Sequence, residues 1–386
     1  MNILQTLKKS QFALPKQSYE DTFPVFLDKC YCEFLEALNQ LDEGTIVDKL
    51  QPHRQTLEQF CNNLLKSLNT YFAGFPAKAY FEFEEAINLI HDFLFPKVPG
   101  KLPFNEREPY YRARVGSNRQ FERHEMFHIP FELREFVTTQ RFSVPGLPCL
   151  YLSNSTYACW EELKRPHVDK MQVSRFKLED MSFNFLNISL TPNFMCLMFE
   201  SFMTQDYLDF TKQNEQQALD SMNSLTLYAI MTWPLIAACS IKVKKHDAPF
   251  KPEYIFPQFL LQWVTHNKNV DGIKYSSIEA NANYSLDFGE LANYAIPVKE
   301  IQSSGYCQKL RNAFSLTRPV SWEILSLTNP SIIQHDQGKF EKVLFNLSLD
   351  TLSSTMELIK GKPTKYYLTT FGKLEIETAD MDFQKL

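Results

Sequence analysis

A scarcity of glycine is the feature that most restricts what this chain can fold into and bind. The chain has 11 glycines among 386 residues, or about 3%, where a typical protein has about 7%. None of them form the G-x-G-x-x-G pattern of dinucleotide-binding loops or the G-x-x-x-x-G-K-[ST] pattern of phosphate-binding loops. The sequence therefore excludes the usual glycine-built phosphate loops, and a bound nucleotide must be held by side chains.

Composition and charge are those of a globular protein. The chain is 44% hydrophobic and 22% charged, which suits two or three packed domains. Its net charge of −5 argues against a dedicated binder of nucleic acid or anionic membranes. The first residues show no secretory signal. The longest apolar run, 225–241, is short for a membrane span and contains Pro234, so we interpret it as buried core. We therefore expect a cytoplasmic protein with reduced cysteines, no nucleic-acid partner and no membrane partner.

Hydrophobic spacing divides the chain into three blocks and predicts an α+β fold. Residues 1–100 show helical spacing in the segments 26–41, 57–68 and 79–95, and the prolines and glycine of 97–103 indicate a linker. The block 105–305 mixes strand candidates at 149–152, 272–276 and 294–298 with helical segments at 156–163, 205–232 and 255–266. Residues 306–386 contain alternating runs at 343–347 and 365–370, which predict a small β-containing appendage.

One metal-binding pattern occurs in the middle block. His124, Glu125 and His128 match H-E-x-x-H, which on a helix places two histidines one turn apart to bind zinc. Pro130 biases the residue before it away from the helical region, and no third ligand is evident downstream. We interpret the histidines as partners of the backbone around a core turn, and we predict no metal.

Separate segments of the middle block form an ordered pattern. The segments are 110–116 (YYRARVG), 140–153 (QRFSVPGLPCLYLS) with 158–162 (ACWEE), 271–277 (DGIKYSS) and 293–298 (NYAIPV). In this order they resemble the signature of the RES-domain family, which runs Y-R-x-R, R-x-x-x-x-G-x-P-x-L-Y-L-[SA], A-x-x-E and G-I-x-Y-x-S. Each segment alone is a weak match, but their joint order and spacing make the resemblance strong across the block 105–305.

The resemblance implies an ADP-ribosyltransferase-like fold and a toxin that consumes NAD, with water or inorganic phosphate accepting the ADP-ribosyl group. Small family members are paired with an antitoxin that covers the active site. The residues that match the signature, and are candidates for catalysis, are Arg112, Tyr151, Glu161 and Ser277. The candidates for NAD contacts are Arg112, Tyr151, Tyr111, Arg114, Arg141 and Tyr275.

The chemistry of NAD cleavage gives these residue types specific roles. Loss of nicotinamide leaves oxocarbenium-like charge on the ribose, which a nearby carboxylate stabilises in the transition state. Because the chain lacks a glycine loop, we expect Arg112 to hold the pyrophosphate bidentately. Tyr151 can stack on nicotinamide, and Ser277 can hydrogen-bond the carboxylate or the ribose.

Two adjacent glutamates compete for the role of that carboxylate. On a helix they point about 100° apart, so only one of them faces the pocket. Glu161 follows Ala158 at the spacing that A-x-x-E requires, whereas Glu162 lies at the expected eleven residues after Tyr151. We favour Glu161.

Two alternatives to an NAD-degrading enzyme remain open at this point. The same site could transfer ADP-ribose to a protein, or the middle domain could be a catalytically inactive interaction module. The helical N-terminal domain exceeds what a minimal RES toxin needs, and we expect it to mediate homo-oligomerisation or to gate the active site.

Overall fold

The structure is a computed structural model, and it describes residues 12–16, 21–41, 45–95, 109–116, 119–191, 215–278, 291–327, 355–359 and 361–386. The described α-helices are α1 (Phe23–Asn39), α2 (Thr45–Leu50), α3 (Arg54–Phe72), α4 (Pro76–Leu89), α5 (Thr156–Glu162), α6 (Glu215–Cys239), α7 (Ile255–His266), α8 (Gln308–Ala313), α9 (Trp322–Leu325) and α10 (Thr370–Ala379). The described strands are β1 (Tyr110–Val115), β2 (Cys149–Ser153), β3 (Met171–Leu178), β4 (Phe185–Asn187), β5 (Gly272–Ser276), β6 (Ala292–Pro297), β7 (Phe314–Leu316), β8 (Val320–Ser321), β9 (Thr355–Ile359) and β10 (Lys362–Lys365). The chain is therefore an α+β protein, as its sequence predicts.

The chain forms two compact units, and each is assembled from separate stretches of sequence. The first comprises Met1–Leu102, Gln140–Phe142 and Leu186–Trp263, and the second comprises Pro103–Thr139, Ser143–Phe185 and Val264–Leu386. This division differs from the three blocks 1–100, 105–305 and 306–386 drawn from the sequence. Most of 186–263 joins the N-terminal helices, and 306–386 joins the sheet. The linker proposed at 97–103 lies outside the described residues.

The first unit is helical because its apolar stripes pack on one apolar helix. From Tyr228 to Cys239 every residue of α6 is buried, and a helix that is apolar all round must be covered on every side. The N-terminal helix α1 supplies part of that cover. The ring of Trp233 stacks on Phe34 with centroids 4.2 Å apart, and the Tyr31 hydroxyl donates to the carbonyl of Pro234 at 2.9 Å.

Among the described helices, α6 is the one whose length and composition would allow it to cross a membrane. Within its most apolar window, 89% of the residues are buried inside the protein. Such burial is typical of a core helix. The interpretation of the run 225–241 as buried core is confirmed.

The second unit is built on an eight-stranded sheet. Its strand order is β4-β5-β6-β2-β1-β3-β7, and β8 also pairs with β3. The central strand β1 pairs with β3 along its whole length, but it shares with β2 the single register pair of Tyr111 and Ser153. Both pairings are antiparallel. The strands β1 and β2 therefore part immediately beyond this pair, in the middle of the sheet.

Strand alternation gives the sheet an apolar face and a polar row. Leu150 and Leu152 of β2 belong to the main hydrophobic cluster of this unit. The alternate residues of β2 and its neighbour β6, among them Tyr151, Ser153 and Asn293, point to the opposite face. The sheet therefore carries polar side chains on the face turned away from its main core.

The segments after residue 306 are part of the same unit. Strand β7 pairs with β3, and Leu316 bridges to Gln384. The hairpin of β9 and β10 agrees with the predicted β-content, but the strand predicted at 365–370 is wrong. Thr369 accepts a hydrogen bond from the amide of Gly372 and so caps the start of α10. The run 343–347 lies outside the described residues.

Candidate functional site

The two adjacent glutamates stand at the end of α5, the short helix that follows β2. Ser155 caps this helix by accepting a hydrogen bond from the amide of Ala158 at 3.0 Å. The helix ends at Glu162, and Lys164 and Arg165 follow with positive φ angles of 64° and 55°. This sharp turn stops the helix and brings the Arg165 side chain back along it.

Glu161 is held in a local ion pair. Its side chain is buried, with Arg165 Nε donating to Oε2 at 2.9 Å and Arg165 Nη2 donating to Oε1 at 3.1 Å. The hydroxyl of Tyr157 also donates to Oε1. Both partners lie one helical turn away, so the Glu161 carboxylate braces the helix. Glu161, the residue that we favoured as the pocket carboxylate, therefore does not lie at the polar row of the sheet.

The carboxylate that lies at the polar row of the sheet is that of Glu162. Its Oε1 accepts hydrogen bonds from Ser277 Oγ at 2.8 Å and from Asn293 Nδ2 at 2.7 Å. Asn293 is itself oriented, because Ser153 Oγ donates to its Oδ1 at 2.6 Å. Ser277 donates to a carboxylate, as expected, but that carboxylate belongs to Glu162 and not to Glu161.

The sheet register is what assembles this polar row. Ser153 of β2 pairs with Asn293 of β6, and Asn293 pairs with Tyr275 of β5. Ser277 follows β5 directly, and its amide donates to the carbonyl of Leu291 at 2.7 Å. Three neighbouring strands therefore deliver polar side chains to the carboxylate at the end of α5. Sequence reasoning missed Asn293, although it lies in one of the segments that match the family.

Tyr151 and Arg112 lie where β1 and β2 part. Burial raises the pKa of Tyr151 well above its usual value, the nearby Cys149 and Tyr275 raise it further, and the charge of Arg112 lowers it. Burial raises the pKa of Cys149 to about 12, and the charge of Arg112 opposes that rise. Tyr111 shares its face with its register partner Ser153, so strand alternation directs the Arg112 side chain to the other face of the sheet, that of Tyr110 and Phe176.

The Arg112 side chain is short of partners. Its Nη1 atom is buried and has no hydrogen-bond partner within the described residues. Burial and the nearby charge of Arg114 lower the pKa of Arg112 to about 10, so the group remains charged at neutral pH. A buried donor without an acceptor is costly, and an anionic ligand supplies the acceptor.

The other predicted NAD contacts are placed elsewhere or have other partners. Tyr111 is fully buried in a hydrophobic cluster with Met171, Val173 and Leu374, so its side chain lies in the core. Arg114 is exposed and donates to the carbonyl of Glu125 at 2.6 Å. Tyr275 is half-buried on β5 and acts electrostatically on Tyr151.

Arg141 belongs to the first unit. There its Nη1 donates to the carbonyls of Cys239 and Glu253 at 3.3 and 3.4 Å. Its guanidinium also lies over the ring of Tyr254, 5.2 Å from the centroid. Each of these contacts holds helical elements of the first unit together, so Arg141 has a structural role there.

The H-E-x-x-H segment is not one helix. Residues Arg123–Met126 form a short 3₁₀ turn, and His128 lies beyond its end. The Nε2 atom of His128 accepts from the amide of Cys307 at 3.0 Å, and Nδ1 lies 2.7 Å from the carbonyl of Ile129. Burial lowers the pKa of His128 to about 4. Both nitrogens of this imidazole are therefore engaged with the backbone, as the interpretation of the sequence expected.

The fold is α+β, and its sheet carries a carboxylate that a serine and an asparagine hold by hydrogen bonds. The chain is homologous to a protein of Bacillus subtilis (strain 168) named "Putative toxin YopC", with 34% identity over 312 residues. The similarity covers 78% of this chain and 66% of the relative, which is just under two thirds of its length. It supports a toxin-like function for this chain.

No family model matches the chain. No solved structure matches it either. The resemblance to the RES-domain family therefore stays a prediction that depends on the quoted segments.

Proposed function

We propose that this chain is a toxin-type enzyme that consumes NAD by breaking the bond between nicotinamide and ribose. The observation that carries the proposal is the fixed carboxylate of Glu162, held by Ser277 and Asn293. These donors come from an ordered network and not from mobile surface groups. The similarity to a protein named as a toxin supports the biological class.

The reaction needs one carboxylate beside the ribose. As the C–N bond breaks, its electron pair leaves with nicotinamide, and the anomeric carbon becomes cationic. Glu162 stabilises that charge, which is largest in the transition state. An oxygen of water or inorganic phosphate then bonds to the same carbon, and water gives up a proton in this step. The products are nicotinamide and either ADP-ribose or its 1″-phosphate.

Arg112 binds the diphosphate of NAD in this proposal. Its buried Nη1 lacks an acceptor, and a diphosphate oxygen provides one through a charge-assisted hydrogen bond. Tyr151 lies near the guanidinium and offers a ring on which nicotinamide stacks. The site thus uses side chains where other NAD-binding folds use a glycine loop.

Mass spectrometry of the products formed from NAD, with and without phosphate, tests this proposal. We expect free nicotinamide together with ADP-ribose, and a shift to ADP-ribose 1″-phosphate when phosphate is present. A mass increase on a protein band would identify a protein ADP-ribosyltransferase instead. Unchanged NAD in both buffers, with no shift of the melting temperature by NAD, would identify an inactive interaction protein.

Replacing Asn293 by alanine should lower kcat with little change in KM. The change removes the Nδ2 donor that helps to orient Glu162, so we expect a loss of about tenfold to a hundredfold. Initial rates of NAD loss over a range of NAD concentrations measure it. Asn312→Ala, a change at an exposed asparagine in the same unit, is the control and should behave as the unmodified protein. An increase in KM alone would contradict the assigned role.

An enzyme of this kind requires restraint in the cell that makes it. We therefore include in the proposal a regulatory protein of antitoxin type that blocks the site, and a cytoplasmic location where NAD is available. Homo-oligomerisation through the helical N-terminal region remains part of the same proposal. Co-purification of the chain with a neighbouring-gene product, followed by loss of NAD turnover, is the observation that supports the partner.

A further inference from the structure

A buried carboxylate links the C-terminal helix to the helix that ends in Glu162. Glu375 of α10 is 2% exposed. Its Oε1 accepts from the amide of Thr156 at 2.7 Å, from Thr156 Oγ1 at 3.1 Å and from the hydroxyl of Tyr366 at 2.6 Å. One side chain therefore gathers donors from α5 and from the turn that precedes α10.

The contact falls at the first residue of α5. A backbone amide at this position has no partner inside its own helix, so Glu375 supplies an acceptor that α5 lacks. Thr156 Oγ1 also donates to the carbonyl of Phe371 at 3.0 Å. The Phe371 ring packs edge-on against Tyr157 with centroids 5.3 Å apart. Polar and apolar contacts from α10 therefore hold the same first turn of α5.

The close approach of this segment depends on Gly372. A Cβ atom at that position would lie 2.3 Å from the carbonyl oxygen of Tyr366 and 2.5 Å from the Cα of Tyr367. Only a glycine allows the first turn of α10 to fold back on the 366–367 backbone. The geometry that delivers Glu375 to Thr156 is therefore specified by the sequence of this segment.

We infer that Glu375 is a positioning residue, which fixes α5 at its first turn and through it sets the place of the Glu162 carboxylate. The connection is short and stiff, because the six helical steps from Thr156 to Glu162 span about 9 Å. A small rotation at Thr156 therefore displaces the carboxylate that Ser277 and Asn293 hold. The effect on activity rests on the proposed function, whereas the effect on α5 does not.

The Glu375 carboxyl group also has a pKa close to neutral pH. Burial raises its pKa to about 7, while hydrogen bonds from Tyr366 and Thr156 and the charge of Arg175 lower it. Tyr111 and Cys159 also face this carboxyl group. The folded-state pKa lies above the ordinary value of 4.5, so the native state favours the protonated form. The stability from this group is present below about pH 4.5 and is lost as the pH rises through about 7.

The test compares Glu375→Ala and Glu375→Gln with Glu377→Ala, a change at an exposed glutamate of the same helix. Hydrogen exchange of the amides in 156–162 reports on α5, and NAD turnover reports on the site. We expect Glu375→Ala to speed exchange in α5 by about tenfold or more, with strands β1 and β3 unchanged, and to lower kcat by a similar factor. Glu377→Ala should match the unmodified protein.

Glu375→Gln keeps the accepting Oε1 and removes the charge. It should keep α5 protected and flatten the fall in melting temperature between about pH 5 and pH 8. Unchanged exchange in α5 for Glu375→Ala, or faster exchange throughout the unit, would overturn the inference. Faster hydrogen exchange in α5 together with unchanged NAD turnover would also overturn the inference. If Glu375→Ala speeds exchange in α5 but the unmodified protein consumes no NAD, the proposed function is refuted. The inference that Glu375 fixes α5 then still holds.

Discussion

Replacing Glu162 by glutamine should reduce the rate of NAD loss by about a hundredfold to a thousandfold, the usual effect of removing one electrostatic group from a transition state. Glutamine has nearly the same shape and still accepts from Ser277 and Asn293. The loss therefore measures the negative charge and not the packing. Steady-state rates with the product assay measure it, and KM should change little because the charge acts on the transition state.

Glu161→Gln is the matched control one residue away. It weakens the pair with Arg165 and should lower the melting temperature, while NAD turnover stays within a few-fold of the unmodified protein. Opposite behaviour of the two variants, with activity lost only in Glu161→Gln, would show that the carboxylate is wrongly assigned. Loss of activity in both variants, with both still folded by circular dichroism, would show that the end of α5 tolerates no change.

Replacing Arg112 by methionine should reduce kcat/KM for NAD by about a hundredfold, since the charge-assisted hydrogen bond to the diphosphate and the charge itself are lost. The shift in melting temperature that NAD causes should disappear as well. The ligand-free variant should be at least as stable as the unmodified protein, because the buried Nη1 no longer lacks an acceptor. We therefore expect this one substitution to lower kcat/KM for NAD without lowering the stability of the ligand-free protein.

Arg114→Gln, two residues along β1, is the control for charge. Arg114 is exposed and contacts the carbonyl of Glu125, so NAD affinity should fall by less than about threefold through weak surface electrostatics. Differential scanning fluorimetry with a series of NAD concentrations distinguishes the two variants. An Arg112→Met protein that binds NAD normally, or one that is destabilised when free of ligand, would contradict the role given to the guanidinium.

Much of the fold follows from periodicity. The segment 26–41 matches α1 up to its end at Asn39, and 57–68 is part of α3. Residues 149–152 and 272–276 lie in β2 and β5, and 255–266 is α7. Each depends on contacts within a few residues, so a local pattern predicts it. The segment 205–232 is confirmed from residue 215 onwards, where α6 begins.

The assignment of the two glutamates shows what local pattern leaves undecided. Spacing from Ala158 and spacing from Tyr151 favoured different residues. The decisive signal was available in the sequence: Tyr157 lies four residues before Glu161 and Arg165 lies four residues after it, both on the same helical face. The carboxylate with one partner in its own helix and another in the turn that follows is the one that is engaged locally, which leaves Glu162 for the sheet.

Other features depended on strands that are distant in sequence. Asn293 reaches Glu162 because β6 lies between β2 and β5, and no local pattern encodes that order. Residues 186–263 join the first unit because α6 needs cover on every side, a requirement that appears only once its neighbours are known. The helix α10 was missed because the run that leads into it, 365–370, alternates like a strand, while the cap at Thr369 starts a helix there.

The late position of α10 and β7 in the sequence has a consequence for synthesis on the ribosome. The sheet receives β7 at residues 314–316, and α5 receives its brace only from residue 375. A nascent chain that has passed Glu162 therefore carries every signature residue up to that point but not the support that holds its carboxylate. Chains interrupted before residue 375 lack this support, and under the proposed function such chains do not hold the carboxylate in place.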